Sequence, residues 1–311
     1  MVAPLCPLDS LGGKHDRSTT RYWTKLFHRL KWAPSRTQQT SRKKFGIRAA
    51  GRSVKGGYRL TNEDRCYVDI DGRVFLVADG IGGHVGGERA AEIAVSTMPT
   101  VLNHALDAEN ADVNSMQEAV EKAVAAARQE MVEYADLHSN CRRMGTTVAM
   151  AAIKDDKLYF SHIGDSRVYL ARNGTIRRLT SDHSFVQVLV DAGVINEEDA
   201  RTHPQRHCVL NHVGVRQLDH PPRVASLRLK TGDVVVLATD GLTGVVDDHA
   251  IEKIVTHYDD THDAADALIR EAMRKDSKDN VTCVIVQVLK SYERVVEKDC
   301  VDYDCDSCAA Y

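Results

Sequence analysis

The 311 residues suffice for one large domain or two small ones, and at 43% hydrophobic and 27% charged they have the make-up of an ordinary globular protein. No apolar run approaches the roughly 18 residues of a membrane span, and the N-terminus lacks the continuous apolar core of a secretory signal. The net charge of −3 hides an asymmetry: residues 1–44 hold ten Lys or Arg against two acids, a charge of +8, so the remainder carries −11.

Residues 1–44 read as a basic, disordered leader and linker. Within them, residues 22–32 place apolar side chains at 22, 23, 26, 27 and 30, the spacing of an amphipathic surface helix. The folded body is expected over 45–290. Its first clear strand is 66–70, and Asp71-Gly72 signals a hairpin into a second strand over 73–78. That strand ends abruptly at Asp79, and Gly80, Gly82, Gly83, Gly86 and Gly87 follow, letting the backbone turn and approach something bound. Helical patterning resumes from Glu88 to about Leu106. A second helix is marked by an apolar stripe at Val113, Met116, Val120, Val124, Ala127, Met131 and Tyr134.

The period then changes. Strands are expected at 146–153, 158–163, 166–171 and 175–179, with turns at Asp155-Asp156 and Asn173-Gly174 too short to join parallel strands. Short helices follow over 184–191 and 197–202, the second capped by Asn196 and ended at His203-Pro204. Strands at 223–229 and 233–239 lead to Asp240-Gly241, a second strand-end Asp-Gly pair. Helices beginning at Asp247/Asp248 and over 264–275, a polar loop at 276–280 and a strand over 281–289 complete the body. Hairpin connections dominate, which argues for packed antiparallel sheets covered by helices.

Residues 291–311 form an acidic tail with Cys300, Cys305 and Cys308. It lacks an apolar scaffold, so disorder is expected there in preference to a metal site. The other five cysteines are scattered and, without a secretory signal, are expected as reduced thiols of a cytoplasmic protein.

Asp64, Asp79, Asp165, Asp240 and Asp279 all fall at strand edges or in tight loops. A lone acid of this kind is usually a turn former. Several in one body suggest a hard cation, because oxygen ligands suit Mg²⁺, Mn²⁺ or Ca²⁺. The order of short signatures carries more. Arg59-x3-Glu63-Asp64, Asp79-Gly80-x-Gly82-Gly83-His84, Gly145-Thr146-Thr147, Gly164-Asp165-Ser166-Arg167, Leu179-Thr180-x-Asp182-His183, Thr239-Asp240-Gly241 and Asp279-Asn280-Val281-Thr282 follow one another over residues 46–289.

In that order they resemble the metal-dependent protein phosphatase family, the type 2C serine/threonine phosphatases, and its bacterial-type members above all. The resemblance implies an α+β fold, a four-layer α-β-β-α sandwich of two antiparallel sheets flanked by helices. It implies hydrolysis of phosphoserine and phosphothreonine by in-line attack of a hydroxide bridging two Mg²⁺ or Mn²⁺ ions. Asp79 would bridge the ions, with the Gly80 carbonyl, Asp240 and Asp279 completing the set. Asp64 with Glu63 would hold water beside them, Asp165 with Asp240 would form a third, weaker site, and Arg59 would grip the phosphate.

Eukaryotic relatives often place a histidine where this chain has Ile81; bacterial-type relatives do not, so the acid for the leaving group is unassigned. His84 is read as a turn cap in preference to the catalytic acid, and the histidines of the stretch from His203 to Gly214 as solvated loop residues in preference to metal ligands. That stretch also has Asn211-His212 where relatives often carry an arginine. The expected partners are phosphorylated proteins and a cognate Ser/Thr kinase, for a monomer with no nucleic acid. The alternative is a catalytically silent adaptor. Such a protein would be expected to have lost Asp79, Asp240 or Asp279, and all three are present.

Overall fold

The computed structural model describes residues 45–82, 85–109, 111–215, 218, 220–290 and 300–303, with no side-chain description for Val85 or for 300–303. The basic leader with its 22–32 stretch, Gly83, His84, Cys305 and Cys308 lie outside the described residues.

Two sheets form the centre. One contains β1 (Phe45–Val54), β7 (Arg167–Arg172), β8 (Thr175–Arg178), β11 (Val234–Ala238), β12 (Val281–Lys290) and β13 (Cys300–Tyr303), in the order β13-β1-β12-β11-β7-β8. The other runs β10 (Ala225–Arg228), β6 (Lys157–Ile163), β5 (Val148–Lys154), β3 (Val74–Ile81), β4 (Gly145–Thr146) and β9 (Val213–Gly214), with β2 (Asp64–Val68) also paired to β3. Helices α1 (Val85–Asp107) and α2 (Val113–Leu137) cover the second sheet. Helices α6 (Asp248–His257) and α7 (Thr261–Arg274) cover the first. Three short helices, α3 (Phe185–Asp191), α4 (Glu197–Thr202) and α5 (Asp240–Thr243), lie between strands in the chain.

The period of two in the strands builds the layers. Along β3, Val74, Leu76 and Ala78 pack with α1 and α2, while Phe75 and Val77 turn into the core between the sheets; all five are fully buried. Along β11, Val234, Val236 and Ala238 meet α6 and α7, and Val235 and Leu237 enter the same central core. The two central strands are thus buried on both faces, which explains their continuous apolar runs. The stripe on α2 buries Met116, Val120, Val124, Ala127 and Met131 as expected, and its first turn is closed by a capping box between Asp112 and Ser115. Asn196 accepts from the Asp199 N–H at the start of α4, again as expected.

The expected sandwich of antiparallel sheets flanked by helices is therefore what the chain forms. One pair departs from it: β13 runs parallel to β1, with Gly51 opposite Cys300. The expectation of a wholly disordered tail is corrected there, because the β1 edge supplies the ladder that the tail's own composition lacks. Antiparallel pairing of β1 with β12 sets Phe45 opposite Lys290 and Val54 opposite Val281. Among the described residues no helix is long and apolar enough to cross a membrane.

Candidate active site

Strand direction gathers the acids. Asp79 lies near the C-terminal end of β3, and Asp64, at the N-terminal end of antiparallel β2, is its register partner. Asp240 lies two residues beyond the end of β11 at Ala238. Asp165 precedes β7 and Asp279 precedes β12, and both strands pair antiparallel with β11 near Ala238. Two strand exits and three strand entries thus share one end of the sandwich. There an open cleft of about 530 Å³ is lined by Arg59, Asp79, Gly80, Asp165, Asp240 and Asp279 among others.

Asp64 does not line that cleft. It is buried behind it, and its Oδ2 accepts from the Thr239 hydroxyl at 2.8 Å, while Thr239 Oγ1 accepts from the Thr282 N–H at 3.1 Å. Glu63, also buried, donates its backbone N–H to Asn280 Oδ1 at 3.0 Å, and its carbonyl accepts from the Gly80 N–H at 3.2 Å. The Asp79 carbonyl accepts from the Thr147 N–H and the Thr146 hydroxyl, both at 2.9 Å. Gly80 is required by close approach: a Cβ there would run into the Gly87 carbonyl at the start of α1. Gly241 is held likewise against the Asn280 carbonyl. The glycines singled out around Asp79 and Asp240 therefore let neighbouring chains touch.

The electrostatics follow from crowding acids in a poorly solvated place. Burial, then the charges of Asp64 and Asp240, push Asp79 well above the usual carboxylate range. Burial and Asp240 do the same to Asp165. Burial pushes Asp64 up to about 7 despite hydrogen bonds with Thr282 and Thr239 that favour its charged form. Asp279 is raised by burial and by Asp240, against the pull of Arg59. Asp240 moves the other way: burial works to raise it, but the nearness of His207 and Asp79 favours its charged form and leaves it below the usual carboxylate range.

Arg59 donates to Asp279 Oδ2 at 2.5 Å, so the expected phosphate-gripping residue and an expected ligand already touch. His207 Nδ1 stands 3.9 Å from Asp240 Oδ2. That histidine, read from the sequence as a loop residue, is the one the fold carries to the acids. In the cleft wall, Arg167 makes a bidentate pair with Asp182, tying β7 to the segment after β8. Thr239 and Asn280 had no role in the sequence reading beyond belonging to their motifs. Their hydroxyl and amide prove to hold Asp64 and Glu63 in place.

Among the described residues, no group of three or more His, Cys, Asp or Glu side chains is drawn into a ready-made metal cage. The donor set nevertheless fits a hard divalent cation. It is all oxygen, and Asp240 Oδ1 is buried with no hydrogen-bond partner among the described residues.

A family model described as Protein phosphatase 2C matches residues 58–289. The chain is 32% identical over 243 residues to the serine/threonine protein phosphatase PstP of Mycobacterium tuberculosis. That match covers 78% of this chain and 45% of PstP, so this chain spans less than half of that relative. It is 33% identical over 236 residues to protein phosphatase PhpP of Streptococcus pneumoniae, covering 75% of this chain and 94% of PhpP. The solved catalytic domain of PstP in complex with two manganese ions has a TM-score of 0.70 at 30% identity, over 79% of this chain and all of that one.

Proposed function

The chain belongs to the protein phosphatase 2C family, and from that premise we propose that it is a metal-dependent phosphatase of phosphoserine and phosphothreonine in proteins. The observation that carries the reading is the convergence of Asp79, Asp165, Asp240 and Asp279 with Arg59 on one cleft, where a buried Asp240 oxygen has no partner among the described residues.

Two Mg²⁺ or Mn²⁺ ions in this site would supply activation of water and neutralisation of the charge on the phosphoryl group. On this reading Asp79 and the Gly80 carbonyl hold them on the β3 side, and Asp240 and Asp279 on the β11 and β12 side, with Asp165 beside Asp240 for a third, weaker site. Asp64 from behind the cleft wall and Glu63 within it would orient water, fixed by Thr239 and Asn280. Arg59 releases Asp279 and places its planar fork on two phosphoryl oxygens as substrate enters. Proteins phosphorylated by a Ser/Thr kinase are the substrates in this proposal, and a monomer acting in the cytoplasm is the setting.

Hydrolysis of p-nitrophenyl phosphate should require Mn²⁺ and stop with chelator. Asp240→Ala should reduce turnover to background and weaken Mn²⁺ binding in calorimetry. Full turnover in Asp240→Ala would sink the assignment of the site.

A further inference from the structure

Six cationic side chains of Arg or Lys line the cleft: Arg59, Arg167, Arg178, Arg201, Arg206 and Lys278. Five are matched by acids. Arg59 pairs with Asp279, Arg167 and Arg178 with Asp182, Arg201 with Asp248 at 3.9 Å, and Lys278 with Asp276. Arg206 has no side-chain partner among the described residues.

An arginine in open water needs no partner, so this alone decides nothing. Its mounting and its place decide more. The turn that carries Arg206 is fixed by backbone bonds from the Arg206 N–H to the His203 carbonyl at 3.1 Å and from the Cys208 N–H to the Gln205 carbonyl at 3.0 Å. Its far side is stitched to the chain around Ser184 by Phe185 N–H to the Cys208 carbonyl at 2.9 Å and Leu210 N–H to the His183 carbonyl at 2.8 Å. The next residue, His207, reaches to 3.9 Å from Asp240. A guanidinium with no side-chain partner among the described residues is therefore carried one residue away from the histidine that approaches Asp240. The cleft, at about 530 Å³, has room for more than a phosphoryl group.

We infer that Arg206 binds a second anion carried by the substrate close to the scissile phosphate. Preferred substrates are then segments with a flanking carboxylate or a second phosphoryl group. The inference rests on the phosphatase reading above. It matters because the rest of the body repels such segments: residues 45–290 hold 29 Lys or Arg against 36 Asp or Glu, a charge of −7. A cation on an anchored turn of the cleft lining, with no acid beside it among the described residues, is what reverses that repulsion locally. Arginine suits either anion, since its fork pairs with carboxylate and phosphate alike.

The test uses the full chain with Mn²⁺ and three phosphoserine peptides of equal length. The residue beside the target is Ala, Glu or a second phosphoserine, and the site of phosphate release is read by mass spectrometry. The anionic peptides should show kcat/KM about three- to tenfold above the Ala peptide, carried by KM, with the advantage shrinking in about 0.5 M salt. Arg206→Glu should invert the order and Arg206→Lys should keep part of it. A phosphoserine advantage larger than the Glu advantage identifies a second phosphoryl group as the anion; equal advantages identify any acid. Equal kcat/KM for all three peptides, or an anionic preference that survives Arg206→Glu, would overturn this inference alone. Absence of Mn²⁺-dependent turnover of the Ala peptide would overturn the phosphatase reading and this inference with it.

Discussion

A buried carboxylate that keeps its proton is a poor ligand, so the acids of the cleft tie cation binding to pH. Asp64, buried behind the cleft beside those acids, marks the window because burial raises it to about 7 in the folded chain, against about 3.9 for an unfolded Asp. Between those values the unfolded chain sheds the proton and the folded chain retains it. Each step up in pH over that window therefore favours unfolding of the metal-free protein. Asp79 and Asp165 shift in the same direction and add to the slope. On the proposed reading, cation binding would reverse it by displacing the protons of the cleft acids. The melting temperature without metal should fall as pH rises from about 5 to 8, and the increment given by Mn²⁺ should grow over the same window. An increment that does not change with pH would refute the coupling. At this scale the sequence is legible where a residue announces its position: Asp79 and Asp240 each end an apolar run and precede a glycine. Arg206 is not legible. Whether an arginine is matched depends on acids brought near it from elsewhere in the chain, such as Asp182 or Asp248 for its neighbours.

The elements that carry the acids are held in register by close backbone contacts. Gly241 is the second residue of α5, directly after Asp240, and the Asn280 carbonyl it touches belongs to the residue after Asp279. Gly241→Ala should force these two chains apart, lowering stability by about 2–3 kcal/mol and weakening Mn²⁺ binding together. Thermal and calorimetric titrations would measure both. Loss of stability with unchanged Mn²⁺ affinity would show that the contact braces the fold without setting the site. Most elements could be read from period: β3, the α2 stripe and the hairpins from β5 to β8 all follow it. β1 could not, because Arg48, Gly51 and Arg52 interrupt its apolar pattern even though Arg52 is buried in an ion pair with Asp266. α5 is a single turn, too short for any period to register. β13 was missed for another reason: its ladder is supplied by β1, and nothing in the tail itself signals a strand.

For the whole molecule, the matched acids, the three cores and both sheets lie within residues 45–290, apart from β13. Removal of residues 1–44 should therefore leave p-nitrophenyl phosphate turnover and melting temperature unchanged. A loss of either on truncation would give the leader a part in the fold or the cleft. The overall architecture was legible because hairpin turns at Asp155-Asp156 and Asn173-Gly174 forbid a parallel sheet. The meeting of the acids was not, since it depends on the directions of five strands in two sheets. The pairing of β1 with β12 has one more effect. Phe45 and Lys290 lie side by side, about ten residues of extended strand away from the Val54 and Val281 end that leads into the cleft. The body is thus built as a cassette: it could be spliced into a host protein at one point, or have these ends joined and new ones cut in the Asp155-Asp156 turn, with the acidic end of its strands facing away from the seam.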